Sequence, residues 1–394
     1  MFKMYRISKI EECPCGSNKI YKECCYNKEA IKFKNEKHAM SIISKNSKKS
    51  RVNLCLVNGC KSKAIGAHAL QENGLLSKLA INNIVLTQNK KKDATLIEFE
   101  NGEKEARCFL TEELIKNATV QTCFCKKHDN ELFQEIEKSN KTFSIDNSEQ
   151  VFLFAYRTFS FEYYSEIISN NFYEKMFKDV PQLLKKPICI ANYRQSQIKK
   201  QEMDYYKNKF DEIMLNKSYS DVITLTITFP YKIRFANYMC VAPEFDLTGR
   251  KLNVIDKKTK MMRRLFITLF PKENKSYILI SVLKEDFNIY KDYFKSFENV
   301  SSEVIKYYFN TIIPAISENL ILSPELWNEL DEIGQELIQV AVSEPNPKVL
   351  LIGLRNMLKK INRRCDFVFQ NVKYNLFDDE RFNINLKLIN GNSK

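Results

Sequence analysis

Glycine is scarce: nine residues in a chain of 394. Phosphate cradles depend on glycine-rich turns, and no P-loop, dinucleotide-binding or RNP motif is present. No GxSxG element or Cys–His nucleophile pair stands out either. Histidine occurs only three times, so the placing of each one carries weight. Long apolar runs are missing. Stretches such as Val349–Leu354 are far shorter than the ~18–20 residues of a membrane helix. The first residues lack the apolar segment of a secretory signal. These absences predict a cytoplasmic protein with no membrane partner. Internal repeats are also absent.

What the chain does have is apolar and basic. Hydrophobic residues make up 44% and aromatics 12%, enough for a packed core and about two domains' worth of chain. The net charge is +14. Residues 1–51 hold 13 basic and 5 acidic side chains, and residues 52–150 hold 13 and 14. The N-terminal excess suits an acidic partner such as nucleic acid. Abundant Lys, Asn, Ile, Phe and Tyr, the usage of AT-rich genomes, is a competing source of the charge.

There are 12 cysteines, nine of them before residue 126. Close cysteine pairs in a chain without a secretory signal suit zinc better than disulfides, because neighbouring thiolates can grip one side of a tetrahedral ion. Cys189, Cys240 and Cys365 are isolated and read as ordinary core or surface residues.

The first group is Cys13-Pro-Cys15-Gly-Ser17, then Cys24-Cys25. Gly16 permits a tight turn, and Ser17 can bond a ligand sulfur. The pattern resembles the SEC-C motif, the small zinc finger at the end of the bacterial preprotein translocase ATPase, over about 15 residues. The resemblance implies one structural zinc on Cys13, Cys15, Cys24 and Cys25. Four thiolates fill the tetrahedron and leave no position for substrate, so such a finger docks a partner or staples the fold.

The second group spreads over residues 55–129. Cys55 and Cys60 form a loose knuckle, and Cys125 and His128 stand at the start of an expected helix. Together they can complete a second zinc site, with Cys123 an alternative to Cys125. His68 follows the knuckle on a short apolar segment. This order resembles the treble-clef layout of HNH endonucleases. In that family the histidine activates water and a divalent metal stabilises the scissile phosphate. The resemblance implies His68 as general base and Asp129 as a ligand of catalytic Mg2+ or Mn2+. Two positions depart from the pattern: Ala67 stands where an Asp is usual, and Phe133 where a second His or Asn is usual.

Further along, Ile84–Leu86 and Leu96–Phe99 suggest short strands, and residues 28–44 a basic helix. Helices are expected over 147–179 and 195–216. Val222–Phe229 alternates with period two and is β-branched, so it predicts a strand. Asn237–Val241, Leu265–Phe270 and Tyr277–Val282 continue an expected antiparallel meander. Helices return over 284–340, with Pro314 and Pro324 as breakers, and a last basic helix is expected at 348–364. Two basic patches invite phosphate contact: Lys257, Lys258, Arg263 and Arg264 in one, and Arg355, Lys359, Lys360, Arg363 and Arg364 in the other.

The expected architecture is α+β in three parts. Residues 1–50 hold the finger and basic helix, 51–142 the HNH-like module, and 143–394 a helical connector with a mixed sheet-and-helix recognition domain. The functional expectation is a zinc-binding, metal-dependent nuclease acting on DNA or RNA. The alternative is a non-catalytic zinc adaptor that binds nucleic acid, or a protein partner through the finger.

Overall fold

The computed structural model describes residues 5–88, 95–98, 104–138, 141–243, 246–248, 250–252, 261–317, 319–343, 374–377 and 384–391. Along the chain these form α1 (Glu36–Ser50), β1 (Ala67–His68), α2 (Ser77–Leu79), β2 (Ile84–Gln88), β3 (Thr95–Glu98), β4 (Lys104–Arg107), β5 (Leu110–Leu114), β6 (Val120–Gln121), α3 (Lys126–Leu132), α4 (Gln134–Glu137), α5 (Ser148–Asp179) and α6 (Pro187–Asn216). The second half holds β7 (Val222–Phe229), β8 (Phe235–Val241), β9 (Leu265–Lys272), β10 (Lys275–Leu283), α7 (Phe287–Glu298), α8 (Ser302–Ile316), β11 (Ile321–Leu322), α9 (Pro324–Glu329), α10 (Glu332–Ser343) and β12 (Asn385–Ile389). The expected α+β class with an antiparallel sheet is observed.

The central sheet has eight strands in the order β12-β7-β10-β9-β8-β11-β2-β5. All its pairings are antiparallel. Strands β8, β9 and β10 form the expected meander, but β7 pairs with β10 and not with β8. Residues 230–234 therefore cross the end of the β9–β10 hairpin. Ser276 holds the crossing: its hydroxyl accepts from the Ile233 N–H at 2.8 Å and donates to the Tyr231 carbonyl at 2.7 Å. Strands β2 and β5 extend the sheet from the N-terminal side, so it runs across the expected domain boundary at 142.

Strand β7 is buried on both faces. Ile223, Leu225, Ile227 and Phe229 join a core with α7, α8 and α10. The other face of the sheet, through Tyr238, Phe266, Phe270 and Leu279, packs against aromatic residues of α5 and α6. The molecule thus has three layers, helices on each side of the sheet. A buried bond of 2.7 Å between the Thr158 and Thr268 hydroxyls fastens α5 to β9.

Some elements begin elsewhere than expected. The basic helix starts at Glu36, not near 28, because Asn35 caps it by accepting from the His38 N–H at 2.9 Å. Residues before it are held extended: Gln182 donates to the Ile31 carbonyl at 2.8 Å and accepts from its N–H at 3.1 Å. Helix α6 begins at Pro187 rather than 195, with proline in its first turn, where no N–H is needed. Pro314 lies inside α8, which continues to Ile316, while Pro324 opens α9. The helix expected at 348–364 falls outside the described residues. Among the described residues, no helix is long and apolar enough to cross a membrane.

Candidate metal centres

Among the described residues, two side-chain quartets gather metal-ligating atoms. In each, all four ligand atoms lie within 4.8 Å of one another.

The first is Cys13, Cys15, Cys24 and Cys25. Its loop folds back through a backbone bond from the Cys13 N–H to the Lys19 carbonyl, 2.8 Å. Gly16 takes φ +69°, open to glycine at little cost. The Sγ atoms of Cys15 and Cys24 are 3.4 Å apart, and those of Cys24 and Cys25 are 3.7 Å apart. A disulfide needs about 2.05 Å, whereas a tetrahedron with ~2.3 Å metal–sulfur bonds has edges near 3.8 Å. The thiols are free. Burial pushes Cys13 up to about 11. At Cys24 burial also acts upward but is outweighed by hydrogen bonds, led by Ser17 at 3.0 Å, so that thiol falls to about 7. Packed thiols of this kind ionise together only around a cation.

This quartet does not stand alone. Cys13, Cys15, Tyr21 and Cys25 share a small core with Phe177 of α5 and with Ile190 and Tyr193 of α6. Arg194 pairs with Glu11 at 2.5 Å. One side of the finger is therefore covered by the chain's own helices.

The second quartet is Cys55, Cys60, Cys125 and His128. The knuckle turns through Gly59 at φ +75°. It is tied to the segment before α3 by backbone bonds, Leu56 N–H to Cys123 carbonyl and Ile65 N–H to Phe124 carbonyl, both 2.8 Å. Cys125 is the N-cap of α3, which brings His128 back over it within one turn. His128 Nδ1 lies 3.3 Å from Cys55 Sγ and 3.4 Å from Cys125 Sγ. A tetrahedral site has N–S edges of about 3.5 Å. Cys125, not Cys123, belongs to the quartet. The Cys123 thiol is buried and points at the Ser160 carbonyl, 3.9 Å away.

His68 lies beside this quartet and is not part of it. It sits on β1, which pairs with β6 through His68↔Val120. Its Nδ1 is 2.9 Å from the Ala118 carbonyl. A carbonyl only accepts, so Nδ1 is the donor of this bond. The next residue, Thr119, has φ +59°, a strained region for a β-branched side chain. Asp129 is in the first turn of α3. Burial pushes its carboxyl up, Arg157 pulls it down, Glu137 raises it, and His68 lowers it. Those four groups form one electrostatic neighbourhood. Phe133, where a second helix ligand was looked for, is fully buried and lies under the Arg157 guanidinium at 3.9 Å.

Arg157 and Glu137 were not singled out in the sequence. The available signal was a lone cation within the aromatic run Phe152–Phe161.

Two members of the first basic patch are engaged in ion pairs within the protein. Arg264, its side chain 14% exposed, pairs with the buried Glu202, which also accepts from the Met262 N–H at 2.7 Å. Arg263 lies 3.3 Å from Asp286 and 4.4 Å over the Tyr205 ring. Their guanidinium groups join α6, the segment before β9 and the start of α7 through carboxylates. Lys257, Lys258, Arg355, Lys359, Lys360, Arg363 and Arg364 lie outside the described residues.

Comparison with family models, with curated proteins and with solved structures found no match for this chain.

Proposed function

We propose that this protein is a zinc-stapled, metal-dependent nuclease of HNH-like type, with Zn2+ in both quartets and hydrolysis at His68 and Asp129. One observation carries the reading. The histidine beside the second quartet is left out of it and is oriented by the Ala118 carbonyl at 2.9 Å. A general base needs a ring held in a fixed orientation, and this bond supplies one. The thiolate-rich donor sets fit zinc over harder cations. The first quartet, SEC-C-like in its spacing, staples the N-terminus to α5 and α6. The order knuckle, β1–β6 pair, α3 supports a treble-clef description of the second.

In this reading His68 Nε2 takes the proton of the attacking water. Asp129, with substrate oxygens, would hold a Mg2+ or Mn2+ ion, which supplies charge stabilisation at the scissile phosphate. Zinc has no chemical part.

The second reading is a non-catalytic adaptor. It is favoured by Phe133 and the Arg157–Glu137 pair, 2.5 Å, which occupy the space beside Asp129.

The test is cleavage of labelled single-stranded DNA, duplex DNA and RNA by the full chain with Mg2+ or Mn2+. The enzyme reading expects cleavage that falls about a hundredfold or more in His68→Ala at unchanged zinc content. A fully zinc-loaded wild type that cleaves none of the substrates removes that reading. The adaptor then predicts nucleic-acid binding that weakens with salt.

A further inference from the structure

A pocket opens next to the segment that follows His68. Gln71, Leu75, Phe154, Arg157, Phe270 and Lys272 are among its walls. The walls are mostly apolar, yet two cations face it. We propose that Arg157 and Lys272 form an oxyanion pocket beside His68 and Asp129 that takes a phosphate group. The inference deepens the proposed function and rests on that reading for the source of the phosphate.

Arg157 is only 4% exposed. One amino group donates to Glu137 at 2.5 Å, and its flat face covers Phe133. Its Nε is buried with no hydrogen-bond partner among the described residues. A buried guanidinium donor left unmade is costly, and Arg157 is one of the residues lining the pocket. Lys272, half-buried at the end of β9, has no carboxylate within ion-pair distance among the described residues. Burial, and then the neighbouring charge of Lys78, push its ammonium below the ordinary lysine range. An anion would offset both effects. Glu137 pairs with Arg157, and Glu273 and Glu137 act on Lys272 against Lys78. Gln71 fixes the adjoining wall by donating to the Glu137 carbonyl at 2.7 Å. Apolar surroundings strengthen each of these attractions relative to water.

The experiment measures binding, not cleavage. Inorganic phosphate is titrated into the zinc-loaded full chain at constant ionic strength, without Mg2+ or Mn2+. Saturable binding is expected. Lys272→Gln should weaken it about tenfold or more, the loss of one charge-assisted contact. Lys295→Gln, exposed on α7 on the other side of the sheet, should not change it. Arg157→Lys keeps the charge but not the fork and should also weaken it. Because Arg157 is buried, the decision rests on Lys272→Gln, whose site is partly solvated. Absence of saturable phosphate binding in the wild type, or equal binding in Lys272→Gln, overturns the proposal. A short single-stranded oligonucleotide then identifies the source. If it displaces phosphate, the pocket takes a phosphodiester. If phosphate binds and the oligonucleotide does not displace it, the pocket stands for a free phosphate group and the nuclease reading loses this site.

Discussion

A methyl group built on Gly16 would lie 3.1 Å from a Glu174 carboxylate oxygen. The turn of the first quartet thus touches α5 so closely that a side chain there must displace a carboxylate. Gly16→Ala also forces alanine into φ +69°. The expected cost is about 1–2 kcal/mol, read as a lower denaturation midpoint and faster release of the first metal to a chelator. Combining it with Glu174→Ala should recover the steric part alone.

Metal content should follow the quartets. Purified protein is expected to carry two zinc ions per chain by elemental analysis. Cys24→Ser should remove one and Cys55→Ser or His128→Ala the other, whereas Cys123→Ser and His68→Ala should keep both. Loss of zinc in His68→Ala would place that histidine among the ligands and remove the proposed base.

Glu202 is buried and Arg264 only 14% exposed. Glu202→Ala strands a guanidinium in the interior, and such breaks cost about 3–5 kcal/mol. A thermal midpoint within a degree or two of wild type would show that water reaches Arg264, and so that it is open to anions after all.

Thr119 holds a left-handed conformation just after the carbonyl that orients His68. Relief of such strain is worth about 1–3 kcal/mol, less the ~0.5–1 kcal/mol that glycine loses in backbone entropy. Thr119→Gly should therefore be neutral to modestly stabilising in equilibrium unfolding. In the nuclease reading its activity should fall, because His68 loses its fixed support. A variant clearly less stable than wild type would show that the threonine side chain matters more than the strain.

Local patterns were legible in the sequence; pairings were not. Val222–Phe229 is a strand with the bounds its alternation suggested, and α5 runs 148–179 where 147–179 was expected. Both follow from periodicity, which the residues themselves carry. The eight cysteine and histidine positions expected to ligate do converge, because close spacing already limits where they can go. Cys123 and Cys125 could not be told apart in sequence; the helix cap at Cys125 decides between them. Nothing local says that β7 pairs with β10, or that β2 and β5 join a sheet made mostly of residues beyond 220. Arg264 looked like a surface charge because its partner Glu202 is 62 residues away. Arg157 escaped notice because burial, not sequence context, makes a single arginine unusual.

The sheet's two outer strands come from distant parts of the chain, Leu110–Leu114 at one edge and Asn385–Ile389 at the other. During synthesis, β7, β8, β9 and β10 are complete a hundred residues before β12 leaves the ribosome. Through that interval the flank of β7 that later receives β12 is an unpaired edge, open to pairing with another nascent copy. The protein's soluble yield is therefore expected to depend on the pace of translation between β10 and β12. Slowing the ribosome between residues 290 and 380 should lower its soluble fraction.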